Sequence, residues 1–145
     1  MSNTLTAEIL LVSTSATLER DKETATQVAR ILVKNRIQVR EQISVCTDRS
    51  SLQQSIATAI GRSELIVTIG GMGGAAGFLC KQVMSEGLRL PLVHNPKAHK
   101  GIQQYAQATR TPYYPEDVTF ASLPQGSRPL LPRFGKQPGC IISAT

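Results

Sequence analysis

The strongest constraint on the fold is a regular alternation of short apolar segments with amphipathic ones, which continues through residue 108. Apolar runs of strand length occur at 7–14, 37–45, 64–69 and 90–94, and apolar residues at helical spacing follow each run. This order is typical of a parallel sheet covered by helices, with right-handed connections between strands. The sequence therefore predicts an α/β fold with three layers, α/β/α, around a mainly parallel sheet.

The predicted helices span 22–35, 50–62, 78–86 and 97–108. Asn35 is expected to close the first helix, and Ser50 or Ser51 to cap the second. Gly87 is expected to end the third helix, and Pro96 to begin the fourth. From residue 109 onward six prolines interrupt the pattern, so only short strands near 118–121 and 140–143 are predicted there.

Length and charge limit the class of protein. The 145 residues fit one domain spanning 1–145. The formal net charge is +6, and residues 87–145 carry seven basic side chains against two acidic ones. A phosphate-bearing partner and a merely solvated basic surface both remain open explanations of that excess. Nucleic acid is not an expected partner, because the aromatic residues are few and no predicted helix is densely basic.

No feature of the sequence indicates a membrane or secreted protein. The longest uncharged stretch, 65–80, has 16 residues and contains five glycines, whereas a membrane span needs about 20 mostly apolar residues. No basic region precedes the first apolar run, so no secretory signal is evident. The three cysteines form no Cys-x-x-Cys pair and are expected to be reduced thiols. We expect a cytoplasmic protein with no membrane partner.

Three loops, at 13–15, 46–48 and 70–77, follow predicted strands at the edge where open α/β sheets bind ligands. The third of these is called the glycine loop. The third loop is rich in glycine, and backbone amides there could hold a phosphate at the start of the next helix. The alternative is a strand-to-helix turn that needs glycine only for packing. The candidate ligand-binding residues of the three loops are Ser13, Thr14, Ser15, Asp48, Gly70, Gly71, Met72, Gly73 and Gly74.

Side chains suited to catalysis or metal binding are scarce. His94 and His99 are five residues apart, which does not place them on one helical face, and they are interpreted as ordinary polar residues. Cys80 has apolar neighbours and is interpreted as a packing residue. The acidic cluster at 19–23 suits a helix N-terminus, with metal binding as an alternative. No catalytic residue and no metal ligand is assigned.

At this point several segments in order resemble a known family. They are Ser13-Thr14-Ser15 with the following ATLERD segment, Thr47-Asp48, and the IVTIGGMG segment that ends at Gly73. This combination resembles the molybdopterin-binding domain of MoaB/MogA-type proteins, which also forms the N-terminus of CinA-type competence/damage-inducible proteins. The segments around 123–126 and 135–139 are similar to the tail of the CinA-type domain. The resemblance implies a molybdopterin-binding-type fold and a homo-oligomer, with a trimer slightly favoured over a dimer.

The resemblance also implies a ligand, which is a phosphorylated pterin such as molybdopterin, or an adenine nucleotide, bound at 70–77 in cofactor metabolism. Phe78 and Cys80 stand where the family has an acidic residue and a threonine that serve magnesium and nucleotide chemistry, and Thr47 replaces a common acid beside the retained Asp48. Because these replacements remove groups that serve magnesium, weak or lost catalysis is expected. Magnesium binding remains possible. Two alternatives remain: a non-catalytic oligomerisation or regulatory subunit, and a magnesium-dependent adenylyltransferase or nucleotide pyrophosphatase.

Overall fold

The computed structural model describes residues 3–71, 74–133 and 135–143. The chain divides into two compact units, Met1–Val83 and Met84–Thr145, with the boundary inside one helix; the single domain 1–145 stays a prediction. The first unit contains β1 (Thr6–Val12), α1 (Leu18–Lys34), β2 (Gln38–Ser44), α2 (Arg49–Ile60), β3 (Leu65–Gly70) and the start of α3 (Gly74–Leu88). The second contains the end of α3, β4 (Leu92–His94), α4 (Pro96–Thr109), a 3-10 helix (Pro115–Ala121), β5 (Ser122–Pro124), β6 (Arg128–Leu130) and β7 (Gly139–Ile141).

The sheet of the first unit has β1 at its centre, in the order β2-β1-β3, and both pairings are parallel. Leu10 lies opposite Ile43 on one side and Thr68 on the other. Helices follow each of these strands in the chain. The predicted α/β fold with a parallel sheet is confirmed.

Both faces of β1 are buried, which explains why its sequence is a continuous apolar run. On one face, the cluster contains Ala7, Ile9 and Leu11 of β1, with Ala25 and Leu32 of α1 and Ile69 of β3. The opposite face carries Glu8, Leu10 and Val12, which are equally buried. Helix α2 buries Leu52, Ile56 and Ala59, and none of these belongs to the α1 cluster. Helix α2, which contacts β3, therefore buries its apolar side chains outside the cluster that α1 forms.

One buried charge interrupts this apolar strand. The Glu8 side chain is 1% exposed and accepts hydrogen bonds from Arg62 Nε at 2.6 Å and from Ser63 Oγ at 2.9 Å. Arg62 also bonds Glu41 through Nη2. The Arg62 hydrogen bond holds the pKa of Glu8 below its usual range, against the opposing effect of burial. The carboxylate is thus kept ionised by its partners inside the core.

The second unit is built differently from the prediction at two places. β4, which the alternation assigns to the parallel sheet, pairs antiparallel with β5, with Val93 opposite Leu123. The segment 118–121, predicted as a strand, lies in the 3-10 helix. The reason is local: Pro115 begins that helix, and Asp117 accepts a hydrogen bond from the Tyr114 amide. The strand predicted near 140–143 is present as β7, paired with β6.

Helix ends were predicted with mixed success. Asn35 closes α1 and Pro96 begins α4, as predicted. Asp48, not a serine, caps α2 by accepting a hydrogen bond from the Ser51 amide. Gly87 lies inside α3, and the left-handed residue after that helix is Arg89, with φ of +56°. Within the described part of the chain, no helix combines the length and apolar character needed to cross a bilayer.

The Glu8 ion pair predicts an acid-dependent stability. Because the folded-state pKa of Glu8 lies below its ordinary value of 4.5, its contribution is present above about pH 4.5 and is lost as the pH falls through the folded-state pKa. We expect Glu8→Gln to lower the free energy of unfolding by about 1–3 kcal/mol at pH 6, and the difference from wild type to shrink toward pH 3. Urea unfolding over that pH range measures this. Glu23→Gln, at an exposed position of α1, is the control and should change little; a Glu8→Gln deficit that is constant with pH would contradict the ion-pair role.

Candidate functional site

The candidate site lies where the chain changes direction within the sheet. From β1 the chain moves to β2 on one side, and β3 then pairs with β1 on the other side. Such a reversal of strand order is a topological switch point, and open α/β sheets bind ligands there, outside the carboxyl ends of their strands. Val12 pairs with Gly70 at the ends of these two strands. The structure thus brings the Ser13-Thr14-Ser15 loop beside the first residues of the glycine loop.

Gly70 and Gly71 are required by the turn itself. Both have positive φ, +83° and +61°, a conformation that is costly for residues with a side chain. A Cβ on Gly70 would lie 2.6 Å from the Val12 carbonyl oxygen and 2.8 Å from Asp21 Oδ2, and one on Gly71 would lie 2.9 Å from Val12 Cγ1. These two glycines therefore allow a close approach of the protein's own atoms. This agrees with the alternative that the turn needs glycine for packing.

The rest of the glycine loop is only partly described. Met72 and Gly73, both candidate residues, lie outside the described residues. Gly74 is the first residue of α3. A helix that begins here leaves its first backbone N–H groups without partners inside the helix, and such groups favour an anion.

The Asp21 side chain lies next to both Ser13 and the Gly70 turn. This carboxylate, in the first turn of α1, is buried, and its Oδ2 accepts a hydrogen bond from Ser13 Oγ at 2.6 Å. Oδ1 lies 3.7 Å from Arg20 Nε. The sequence offered Asp21 only as a helix-dipole charge or as part of a metal cluster, because its proximity to Ser13 and Gly70 depends on how α1 packs on the sheet.

The remaining residues of the first loop are exposed. The Thr14 carbonyl accepts hydrogen bonds from the Thr17 and Leu18 amides at 3.1 and 3.0 Å, which closes the turn into α1. Thr14 and Ser15 lie at the surface, whereas Ser13 is half-buried. The loop therefore presents two accessible hydroxyl groups and one whose hydrogen is committed to Asp21.

Asp48 has a structural partner of its own. It is exposed, and its Oδ1 accepts the Ser51 amide hydrogen bond at 2.9 Å. That backbone bond is the main cause of a lowered pKa for Asp48. The contact supports the helix-terminal role weighed for this residue in the sequence.

The described residues do not fit a dedicated magnesium site. Within the described ranges no three His, Cys, Asp or Glu side chains come together in a metal-binding group. Phe78, at the position where the family resemblance places an acid, is 40% exposed, and Cys80 is buried. Mg²⁺ prefers carboxylate and phosphate oxygens, and Asp21 is the described carboxylate that adjoins the Gly70 turn.

The glycine geometry yields a matched pair of substitutions. Gly70→Ala should lower the free energy of unfolding by roughly 2 kcal/mol or more, because it adds both backbone strain and a contact with Val12. Gly87→Ala, which meets nothing within 4 Å inside α3, should raise it by about 0.5 kcal/mol. Urea unfolding of both variants measures the difference. Equal effects of the two substitutions would contradict the strained turn.

Comparisons with known proteins show what the chain is similar to. No family model matches it. It is 28% identical over 137 residues to a competence-damage inducible protein of Moorella thermoacetica, and 30% identical over 136 residues to one of Bacillus velezensis. These alignments cover 94% and 93% of the chain but 33% of each relative. The chain thus spans about a third of the length of the relatives it matches.

The fold has a solved counterpart. The crystal structure of the protein CinA from Thermoplasma acidophilum, described as of unknown function, superposes with a TM-score of 0.82. The alignment covers 99% of this chain and 84% of that one, at 21% identity. The resemblance predicted from the loop motifs is therefore confirmed, and this chain has the fold of a CinA-type domain.

Proposed function

We propose that the chain binds a phosphorylated pterin or an adenine nucleotide at the carboxyl edge of its parallel sheet, as part of cofactor metabolism in the cytoplasm. The observation that carries this proposal is the meeting of the Ser13 loop with the Gly70–Gly71 turn at the direction change between β1 and β3. In open α/β folds this is the position at which ligands bind.

The polarity of the crevice favours a ligand with two chemically different ends. Because the Ser13 hydroxyl hydrogen points to Asp21, Ser13 Oγ is left as an acceptor for a ligand N–H or O–H. The start of α3 supplies the opposite character, since backbone amides at a helix N-terminus donate to an anion. A pterin or an adenosine offers N–H and hydroxyl donors, and its phosphate offers the anion.

Weak or absent catalysis is part of the same proposal. Phosphoryl or nucleotidyl transfer depends on charge that stabilises the phosphates, often supplied by a metal. Phe78 and Cys80 provide no ligand oxygen at the positions where the family resemblance places an acidic residue and a threonine. Binding through backbone amides does not need those side chains, so affinity can persist where turnover is lost.

Calorimetric titration with ATP, ADP-ribose and a phosphorylated pterin tests binding. We expect one of these probes to bind, Gly73→Val to abolish its binding by blocking the loop amides, and Ser13→Ala to weaken it by about tenfold, as the loss of one hydrogen bond in a partly buried site would. Thr26→Ala, at an exposed position of α1, should bind like wild type and serves as the control.

The same samples distinguish the alternatives. Failure of all three probes to bind would contradict the proposal and favour the non-catalytic oligomerisation or regulatory subunit. Robust magnesium-dependent turnover of ATP or ADP-ribose by the wild-type protein would instead favour the adenylyltransferase or pyrophosphatase. Wild-type affinity in Gly73→Val would show that the glycine loop serves the fold alone.

Assembly into a homo-oligomer, with a trimer slightly favoured over a dimer, is a further part of the proposal. Large apolar side chains that a partner copy could cover are exposed in both units, including Ile31, Val33, Leu130 and Leu131, at 47–63% exposure. Light scattering after gel filtration, at tens of micromolar protein, should give the mass of three chains of 15.7 kDa. A single monomer mass at that concentration would contradict the assembly.

A further inference from the structure

Two histidines that the sequence separates by five residues meet at the junction between β4 and α4. His94 is the last residue of β4, and His99 lies in the first turn of α4. Asn95 caps that helix through a hydrogen bond from the Ala98 amide at 3.0 Å, which fixes the turn between them. Nε2 of His94 and Nδ1 of His99 are 3.3 Å apart, with the rings nearly perpendicular at 83°.

Tyr113 holds the second ring in place. Its hydroxyl lies 2.7 Å from Nε2 of His99, and the two rings are inclined at 22° with their centroids 6.0 Å apart. When Nε2 carries the hydrogen and donates to Tyr113, Nδ1 is left with a lone pair that faces His94. A hydrogen-bond partner on the remote ring nitrogen is the arrangement that orients metal-binding histidines in proteins.

We propose that His94 Nε2 and His99 Nδ1 together bind a divalent transition metal, with zinc as the probe, and that Tyr113 orients His99. Zinc–imidazole bonds are about 2.0–2.1 Å, so two nitrogens on a tetrahedral zinc lie about 3.3 Å apart. The nitrogen separation found between the two rings is 3.3 Å. The separation of the two nitrogens therefore matches that of two ligands on one zinc ion.

The surroundings define the class of metal and its affinity. Imidazole nitrogens suit zinc, nickel and copper, whereas calcium and magnesium need oxygen ligands. His94 is exposed and His99 half-buried, so an ion can enter and water can complete its coordination. Lys97 and Lys100 flank His99 in the chain, and their charge opposes a cation. A weak, exchangeable site is expected, separate in its residues from the candidate ligand site.

Zinc titration by calorimetry tests the proposal in a Cys46→Ser background, because Cys46 is an exposed thiol that could itself bind zinc. We expect one zinc per chain, at least tenfold weaker binding in both His94→Ala and His99→Ala, and about tenfold weaker binding in Tyr113→Phe. Gln103→Ala, at an exposed position of α4, should bind as the background does. Unchanged affinity in either histidine variant, or no zinc binding below millimolar concentration, would overturn the site.

A second measurement needs no variant of the histidines. The chain contains two histidines, so the ring nitrogens can be followed by NMR as zinc is added to the Cys46→Ser protein. The expected result is that zinc shifts Nε2 of His94 and Nδ1 of His99, and leaves Nε2 of His99 protonated toward Tyr113. Coordination through Nδ1 of His94 or Nε2 of His99, or no shift in either ring, would overturn the shared site.

Discussion

The first unit depends on a central strand that is paired on both sides and buried on both faces. β1 is hydrogen-bonded to β2 and β3, and the side chains on both of its faces are buried. A strand in this position cannot shift its register without exposing one set of side chains and burying the other. The pairing of Val12 with Gly70 is consequently fixed, and with it the proximity of the loops that form the candidate site. Glu8, the charge within this strand, is accommodated because Arg62 and Ser63 reach it.

The fixed position of Val12 also explains the two glycines at the start of the glycine loop. Gly70 and Gly71 fit because a side chain there would strike Val12, so folding alone explains their presence. The family resemblance places an acid and a threonine at Phe78 and Cys80, and the glycine turn needs neither of them. The groups that the fold itself does not use, and that the proposed ligand would meet, are the exposed Ser15 hydroxyl and the amides at the start of α3.

The sequence predicted those features that local patterns determine. Hydrophobic periodicity located the strands and helices, and Asn35 and Pro96 marked helix ends. The prediction was wrong where strand pairing depends on distant residues, since β4 pairs with a strand about thirty residues later in the chain. The rule for residues on one helical face missed the contact between His94 and His99, because His94 precedes the helix. Asn95 caps the helix between them, and the His94 ring contacts His99 in the first helical turn. The contact of Asp21 with Ser13 was likewise set by helix packing.

The direction of one hydrogen bond has the largest consequence for ligand choice. Because Asp21 accepts the Ser13 hydroxyl hydrogen, a phosphate oxygen placed at Ser13 Oγ would face a lone pair with a buried carboxylate behind it, and would be repelled. A phosphate is therefore expected at the α3 side of the crevice, and the uncharged end of the ligand at the β1 side. Inorganic phosphate alone satisfies only one of these ends, whereas a phosphorylated pterin or nucleotide satisfies both. The proposed ligand of the crevice is thus a small molecule with one anionic end and one uncharged end.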